Sequence, residues 1–252
     1  MSKYCSKLSA KLETLKALKQ EFDQEIVKAQ SLSPNKPEDL VLVRDIKAKL
    51  NQELKQSQEV IEVFYKIVDW QDFYQEVFEL KYDFFDLIIP KKEEGFDRLI
   101  IMAPGLTNQQ LWDKTSEICK RLAGTLLINF NLFTSERTTK TAYAFWVRDD
   151  QEACADESAE FLSVKQVKER EPVAETLEER LLHDLKYLKE TGRRLDYQSQ
   201  TLCSGSVDKF GRMPCIDCNN YTETLVNLLG LDTDLSKIGT DYKRLRARKV
   251  IL

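Results

Sequence analysis

The amino-acid sequence predicts an α+β protein with three parts. These are an N-terminal antiparallel helical hairpin of coiled-coil character, a mixed-sheet domain and a small β-rich C-terminal portion. Three observations predict it. Apolar residues recur at steps of three and four through the first third, and a strand–helix–strand–strand pattern occupies the centre. Short apolar runs between Gly, Asn and Asp turns fill the end. The expected divisions are 1–80, 81–192 and 193–252.

The first expected helix covers 3–30. Leu8, Leu12, Leu15, Phe22, Ile26 and Ala29 form a coiled-coil type of seam, interrupted by Lys19. SLSPNKP (31–37) breaks it, and Pro37 suits the first position of a second helix reaching about Val68. Leu40, Val43, Leu50, Leu54, Ile61, Phe64 and Val68 mark the second stripe. A short break between two such helices predicts a fold-back hairpin. Asp69–Leu80 is aromatic, acidic and expected to be helical, packing the hairpin onto the next domain.

FFDLIIP (84–90) is expected as a strand ended by Pro90, and FDRLIIMA (96–103) as a strand buried on both faces. Thr107 and Gln110 then form a capping box for a helix ending at Gly124. TLLINFNLF (125–133) and TAYAFWVRD (141–149) are the next strands, around a polar loop at 134–140. Thr176 and Glu179 box a further helix, with Leu177, Leu181, Leu185 and Leu188 on one face and Gly192 at its end. QTLCSGS (200–206), RMPCIDC (212–218) and RLRARKVIL (244–252) are expected as strands, while TETLVNLLG (222–230) suits strand or helix.

Composition narrows the function. A formal net charge of −4 gives no global attraction to nucleic acid or anionic membrane. The start has no signal-peptide core, and no run of about 18 apolar residues occurs, so a soluble, cytoplasmic protein is expected. Six cysteines in 252 residues are too sparse for a disulfide scaffold.

The residues that could carry chemistry form incomplete sets. Cys215 and Cys218 make one CxxC pair, with Cys203 upstream, but a zinc site needs four ligands and Cys5, Cys119, Cys154 and His183 are scattered. Asp149 and Asp150 end a strand and open an acidic stretch to Glu160, a candidate for Mg²⁺-dependent hydrolysis, yet neighbours on a strand point apart. His183 is the only histidine and faces away from the leucine stripe, which predicts a surface position. Pro104-Gly105 before the Thr107 helix is a weak anion cradle, and neither GxxxxGK[ST] nor GxGxxG occurs. Arg244, Arg246 and Arg248 would share one face of a final strand, suiting either phosphate contact or protection of a sheet edge.

FFDLIIP, GFDRLIIMAPGLT, ERTTKTAYAFWVRDDQEA, TLEERLLHDLKYLKETGRRLD, TLCSGS and LRARKVIL together resemble a family of uncharacterised bacterial hypothetical proteins, over about residues 84–252. That family has no assigned activity, so the resemblance implies no catalytic residues. TLCSGS is typical of it, whereas the CxxC near 215 and the stretch 219–241 depart from it, which weakens the zinc reading further.

The sequence therefore points first to a non-enzymatic binding or adaptor protein, without cofactor or metal, associating with itself or a partner through residues 3–68. The alternatives are a nucleic-acid or nucleotide-associated protein using the C-terminal arginines, and a metal-dependent hydrolase at Asp149 and Asp150.

Overall fold

In the computed structural model the described residues are 17, 20, 21, 24, 27, 28, 37–119, 129–153, 163–170, 173–219, 223–230 and 245–252. They combine helices with several small sheets in a mixed α+β arrangement. The chain divides into two compact units, Met1–Trp70 and Gln71–Leu252. No described helix is long and apolar enough to cross a membrane.

In the first unit, residues 17, 20, 21, 24, 27 and 28 are helical and exposed; the rest of the expected first helix and the turn at 31–36 lie outside the described residues. Helix α1, Pro37–Phe78, starts in this unit at the expected proline but runs unbroken past Val68, and its residues from Gln71 on belong to the second unit. It stops where Glu79 enters the left-handed region at φ 58° and Leu80 N–H reaches back to Tyr74 O at 3.2 Å.

In the second unit, strand β1 (Arg98–Met102) follows a turn at Gly95. Helix α2 (Asn108–Cys119) carries the expected box: Gln110 N–H donates to Thr107 Oγ1 at 3.2 Å, and Thr107 N–H to Gln110 Oε1 at 3.0 Å. A single 3-10 turn (Phe130–Leu132) leads into β2 (Phe133–Ser135), and β3 (Tyr143–Val147) follows. Helices α3 (Val164–Arg170) and α4 (Leu177–Thr191) precede strands β4 (Gln200–Leu202), β5 (Ser206–Asp208), β6 (Met213–Asn219), β7 (Glu223–Leu229) and β8 (Leu245–Arg246).

The strands form three sheets. β1 and β3 pair antiparallel, Arg98 opposite Val147 and Met102 opposite Tyr143. β2 pairs with β5, and the third sheet has the order β7-β6-β4-β8, in which only β4 and β8 are parallel. Its core face holds Val164, Ala174, Leu202, Met213, Cys215, Leu229, Leu245 and Ala247.

Four expectations need correction. Residues 84–90 form no strand: Asp83 Oδ1 accepts from Phe85 N–H at 3.0 Å and Leu87 N–H donates to Phe84 O, so a local turn replaces the ladder. Of the run 125–133, residues 125–128 lie outside the description, and Leu132 N–H closes on Asn129 O, so β2 begins only at Phe133. β1, β2 and β3 do not share one sheet, because β2 is drawn to β5. The final segment is not one strand: after β8 it makes single bridges, Lys249 to Ala174 and Ile251 to Trp146.

Candidate functional site

Helix α4 positions the densest group of functional side chains. Thr176 Oγ1 accepts from Glu179 N–H at 3.2 Å, Glu179 Oε2 accepts from Thr176 N–H at 2.8 Å, and Gly192 closes the helix at φ 71°. Leu177, Leu181 and Leu185 are buried, as their spacing predicts, but so are Glu179, Arg180, His183, Asp184 and Lys186. From Leu177 to Tyr187 every residue but Glu178 is buried, whereas Lys189–Thr191 are exposed. Burying such charges requires partners, since an isolated ion in a low-dielectric interior is strongly unfavourable.

The partners come from the loop after α4 and from the C-terminal segment. Arg180 donates to Asp196 Oδ2 from Nε at 3.0 Å and from Nη2 at 2.7 Å. Arg248 Nη2 donates to Asp196 Oδ1 at 2.6 Å, and Thr201 and Ser199 hydroxyls add to the same carboxylate. Asp184 accepts from the Arg194 guanidinium and from Leu195 N–H, with Arg180 Nη1 3.9 Å away. The arginines hold both aspartates below the ordinary carboxylate range despite their burial.

His183 corrects the expected surface position. It is fully buried, with Nδ1 2.8 Å from Glu175 Oε1 and its ring edge-on to Tyr187. The leucine stripe gave its direction, but that direction leads into the charged core. Burial holds the imidazole well below its usual pKa, and burial lifts the Glu175 carboxyl to about 7 against the pull of Arg248 and Arg180. Among the described residues Glu175 Oε2 and His183 Nε2 have no hydrogen-bond partner.

One corner of this network meets open space. Glu179 accepts from Arg137 at both oxygens, each at 2.6 Å, and from the Tyr143 hydroxyl at 2.9 Å. Burial and the Glu179 charge together push the Tyr143 phenol up. Arg137 and Tyr143 line an open cleft of about 710 Å³ together with Leu87, Ile88, Ala144 and Leu252. Arg137 uses Nε and Nη2 inward, on Glu179 and Ala174 O. Among the described residues its Nη1 has no hydrogen-bond partner. A guanidinium that lines an apolar cleft is recognition chemistry for an oxygen acceptor.

The residues singled out from the sequence are dispersed. Asp149 is held by Arg98, from Nε at 2.7 Å and Nη2 at 2.6 Å. The Asp150 carbonyl accepts from Arg248 Nη1 at 3.2 Å. Glu152 caps the loop by accepting from Gln198 and Ser199 N–H groups, and 154–162 lie outside the described residues. Cys203 and Cys215 are buried free thiols, and burial raises the Cys203 pKa. Cys215 and Cys218 both lie within β6, three positions apart. Among the described residues no group of three or more His, Cys, Asp and Glu could hold a metal ion.

Arg246 and Arg248 do not share one open face. Arg246 Nη1 bonds to its neighbour Leu245 O, whereas Ala247 and Arg248 are both buried, so strict alternation ends after Arg246. Arg244 lies outside the described residues. Sequence reasoning missed Arg137, Tyr143, Glu175, Glu179, Arg180, Asp184 and Asp196 as a set. The available signal was the spacing of Glu175/Glu179 and Arg180/Asp184 by four. No family model, curated protein or solved structure matches the chain.

Proposed function

We propose that the protein is a binding or adaptor protein that assembles with a second copy of itself through the seam of α1. In this reading residues 3–30 fold back along α1 as a hairpin, and the α+β unit is carried on that assembly. The observation that carries it is the register of α1. Leu40, Leu54, Ile61 and Val68 fall on one heptad position and Val43, Leu50 and Phe64 on the other, with polar interruptions at Lys47 and Ser57. At the C-terminal end of that seam Val60, Ile61 and Tyr65 are exposed, Ile61 by 39% and Tyr65 by 67%. Ile61 lies on the seam and Val60 and Tyr65 flank it, and an exposed apolar seam with such flanks suits another helix of the same register.

Light scattering on the full chain tests this. The expected result is a dimer or larger species at micromolar concentration. Ile61→Glu together with Tyr65→Glu should reduce the mass to that of one chain while the helical circular dichroism persists. A full chain that runs as a monomer at all concentrations overturns the reading.

A further inference from the structure

Glu175 and His183 form an acid–base pair sealed inside the second unit. Oε1 of the carboxyl lies 2.8 Å from Nδ1 of the imidazole, and neither side chain reaches solvent. The main chain of Glu175 is fixed on both sides: its N–H donates to Arg248 O at 3.0 Å, and its carbonyl accepts from Gly205 N–H at 3.3 Å. At this separation a proton must stand between the two side-chain atoms, since a bare carboxylate oxygen and a bare ring nitrogen would repel. Either group can supply that proton, so the two titrate as one unit.

The charges around the pair decide which states it takes. On α4, Arg180 acts on both groups, while Glu179 is bound by Arg137, Asp184 by Arg194 and Lys186 by Glu190. From the loop after α4, Asp196 acts on both groups but is itself held by Arg180 and Arg248. The C-terminal segment brings Arg248 to bear on both groups, β1 brings Arg98 to bear on the imidazole, and the segment before β3 brings Arg137 to bear on the carboxyl. After β4, the Cys203 thiol feels the Glu175 charge, and burial keeps it protonated. Three guanidinium groups thus oppose a positive ring in a dry interior, so the histidine stays neutral and the carboxyl is the group whose charge changes.

We propose that Glu175 and His183 are a proton switch in which the histidine exchanges one neutral tautomer for the other. With two protons on the pair, the carboxyl O–H at Oε1 donates to Nδ1 and the ring carries its own proton on Nε2. A carboxylic O–H is a stronger donor than a neutral ring N–H, and a ring nitrogen is a stronger acceptor than a carboxylic C=O, so this pairing is preferred. With one proton, Nδ1–H donates to the carboxylate and Nε2 is bare. Between the two states the carboxyl O–H bond breaks, an Nδ1–H bond forms and the Nε2 proton leaves to solvent water. Among the described residues no hydrogen bond fixes Nε2 or Oε2 in one role. A group reaching Nε2 meets a donor in the first state and an acceptor in the second. The proposal does not depend on assembly through α1.

The test uses the full chain labelled with 15N and 13C. Its single histidine gives one imidazole spectrum, and the ring-nitrogen signals report which atom bears the proton. Below the transition, which the buried Glu175 places at about pH 7, the expected form is Nε2–H; above it, Nδ1–H. The Glu175 carboxyl carbon should shift at the same pH. Glu175→Gln, which has no such proton to lose, should hold one tautomer throughout. A single tautomer on both sides of the transition in the wild-type chain overturns the proposal, as does an imidazolium ring anywhere between pH ~5 and ~8. So does a tautomer change that occurs without the carboxyl shift, or one that survives in Glu175→Gln.

Discussion

Arg248 and Asp196, 52 positions apart in sequence, are joined by a hydrogen bond of 2.6 Å between Nη2 and Oδ1, and both side chains are buried. Arg180 holds the other oxygen of the same carboxylate. The pair thus ties the C-terminal segment to α4 through one anion. Asp196→Asn leaves two guanidinium groups facing a neutral amide in a dry interior. The expected loss of unfolding free energy is about 3–5 kcal/mol, the cost of stranding a buried charge. Urea titration of both proteins measures it. A loss no larger than that of an exposed Asp→Asn change would mean that solvent reaches the network.

The Glu175 carboxyl, lifted by burial from 4.5 to about 7, makes stability depend on pH in a stated direction. The folded chain binds this proton more tightly than the unfolded chain, so the contribution is fully present below pH ~4.5 and lost as pH rises through ~7. Its size is on the order of 3 kcal/mol. His183 acts in the opposite sense, because its depressed pKa makes the folded state resist protonation as pH falls through its ordinary value. Comparing wild type with Glu175→Gln isolates the carboxyl: the gap should shift in favour of the variant as pH rises across that window. Denaturation curves whose gap is constant with pH would show that Glu175 titrates as an ordinary carboxylate.

Local signals were legible in the sequence and long-range charge pairing was not. Thr107 with Gln110, Thr176 with Glu179, and Gly192 mark helix ends through bonds within three or four residues, so their spacing is their geometry. β1 could be located because a continuous apolar run needs burial on both faces. The candidate site follows a different logic. A charged face on α4 carries the same pattern whether it meets water or Arg194, Asp196 and Arg248, and those partners come from separate segments. His183 shows the limit: its direction followed from helical periodicity, whereas its burial depended on what stood opposite.

Glu179 serves three partners at once, so its loss should exceed the loss of the cap it completes. Thr176→Ala removes one side-chain acceptor from the helix start and should cost about 1 kcal/mol. Glu179→Ala removes the other half of the box and also strands the Arg137 guanidinium and the Tyr143 hydroxyl. Its expected cost is about 3 kcal/mol or more. Thermal or urea unfolding of the two variants should rank them in that order. Equal losses would mean that Arg137 finds water once Glu179 is gone.

Gly205 stands between β4 and β5 where the chain passes close to the entry of α4. A Cβ at this position would lie 3.0 Å from both Ala174 O and Thr176 Cγ2, and 3.2 Å from Thr176 N. The neighbours are poorly placed to yield. Ala174 is bridged to Lys249, Glu175 N–H donates to Arg248 O, and Thr176 is fixed by its capping box. Gly205 itself is held on both sides, donating to Glu175 O at 3.3 Å and accepting from Glu136 N–H at 2.8 Å. Gly205→Ala must therefore push backbone against backbone, with an expected cost of about 1–3 kcal/mol. The strain also falls on Glu175 through that shared hydrogen bond, so the pH dependence described for Glu175 should weaken in the same variant. Unchanged stability in Gly205→Ala would mean that 174–176 can retreat, and the network behind it would then be looser than its hydrogen bonds imply.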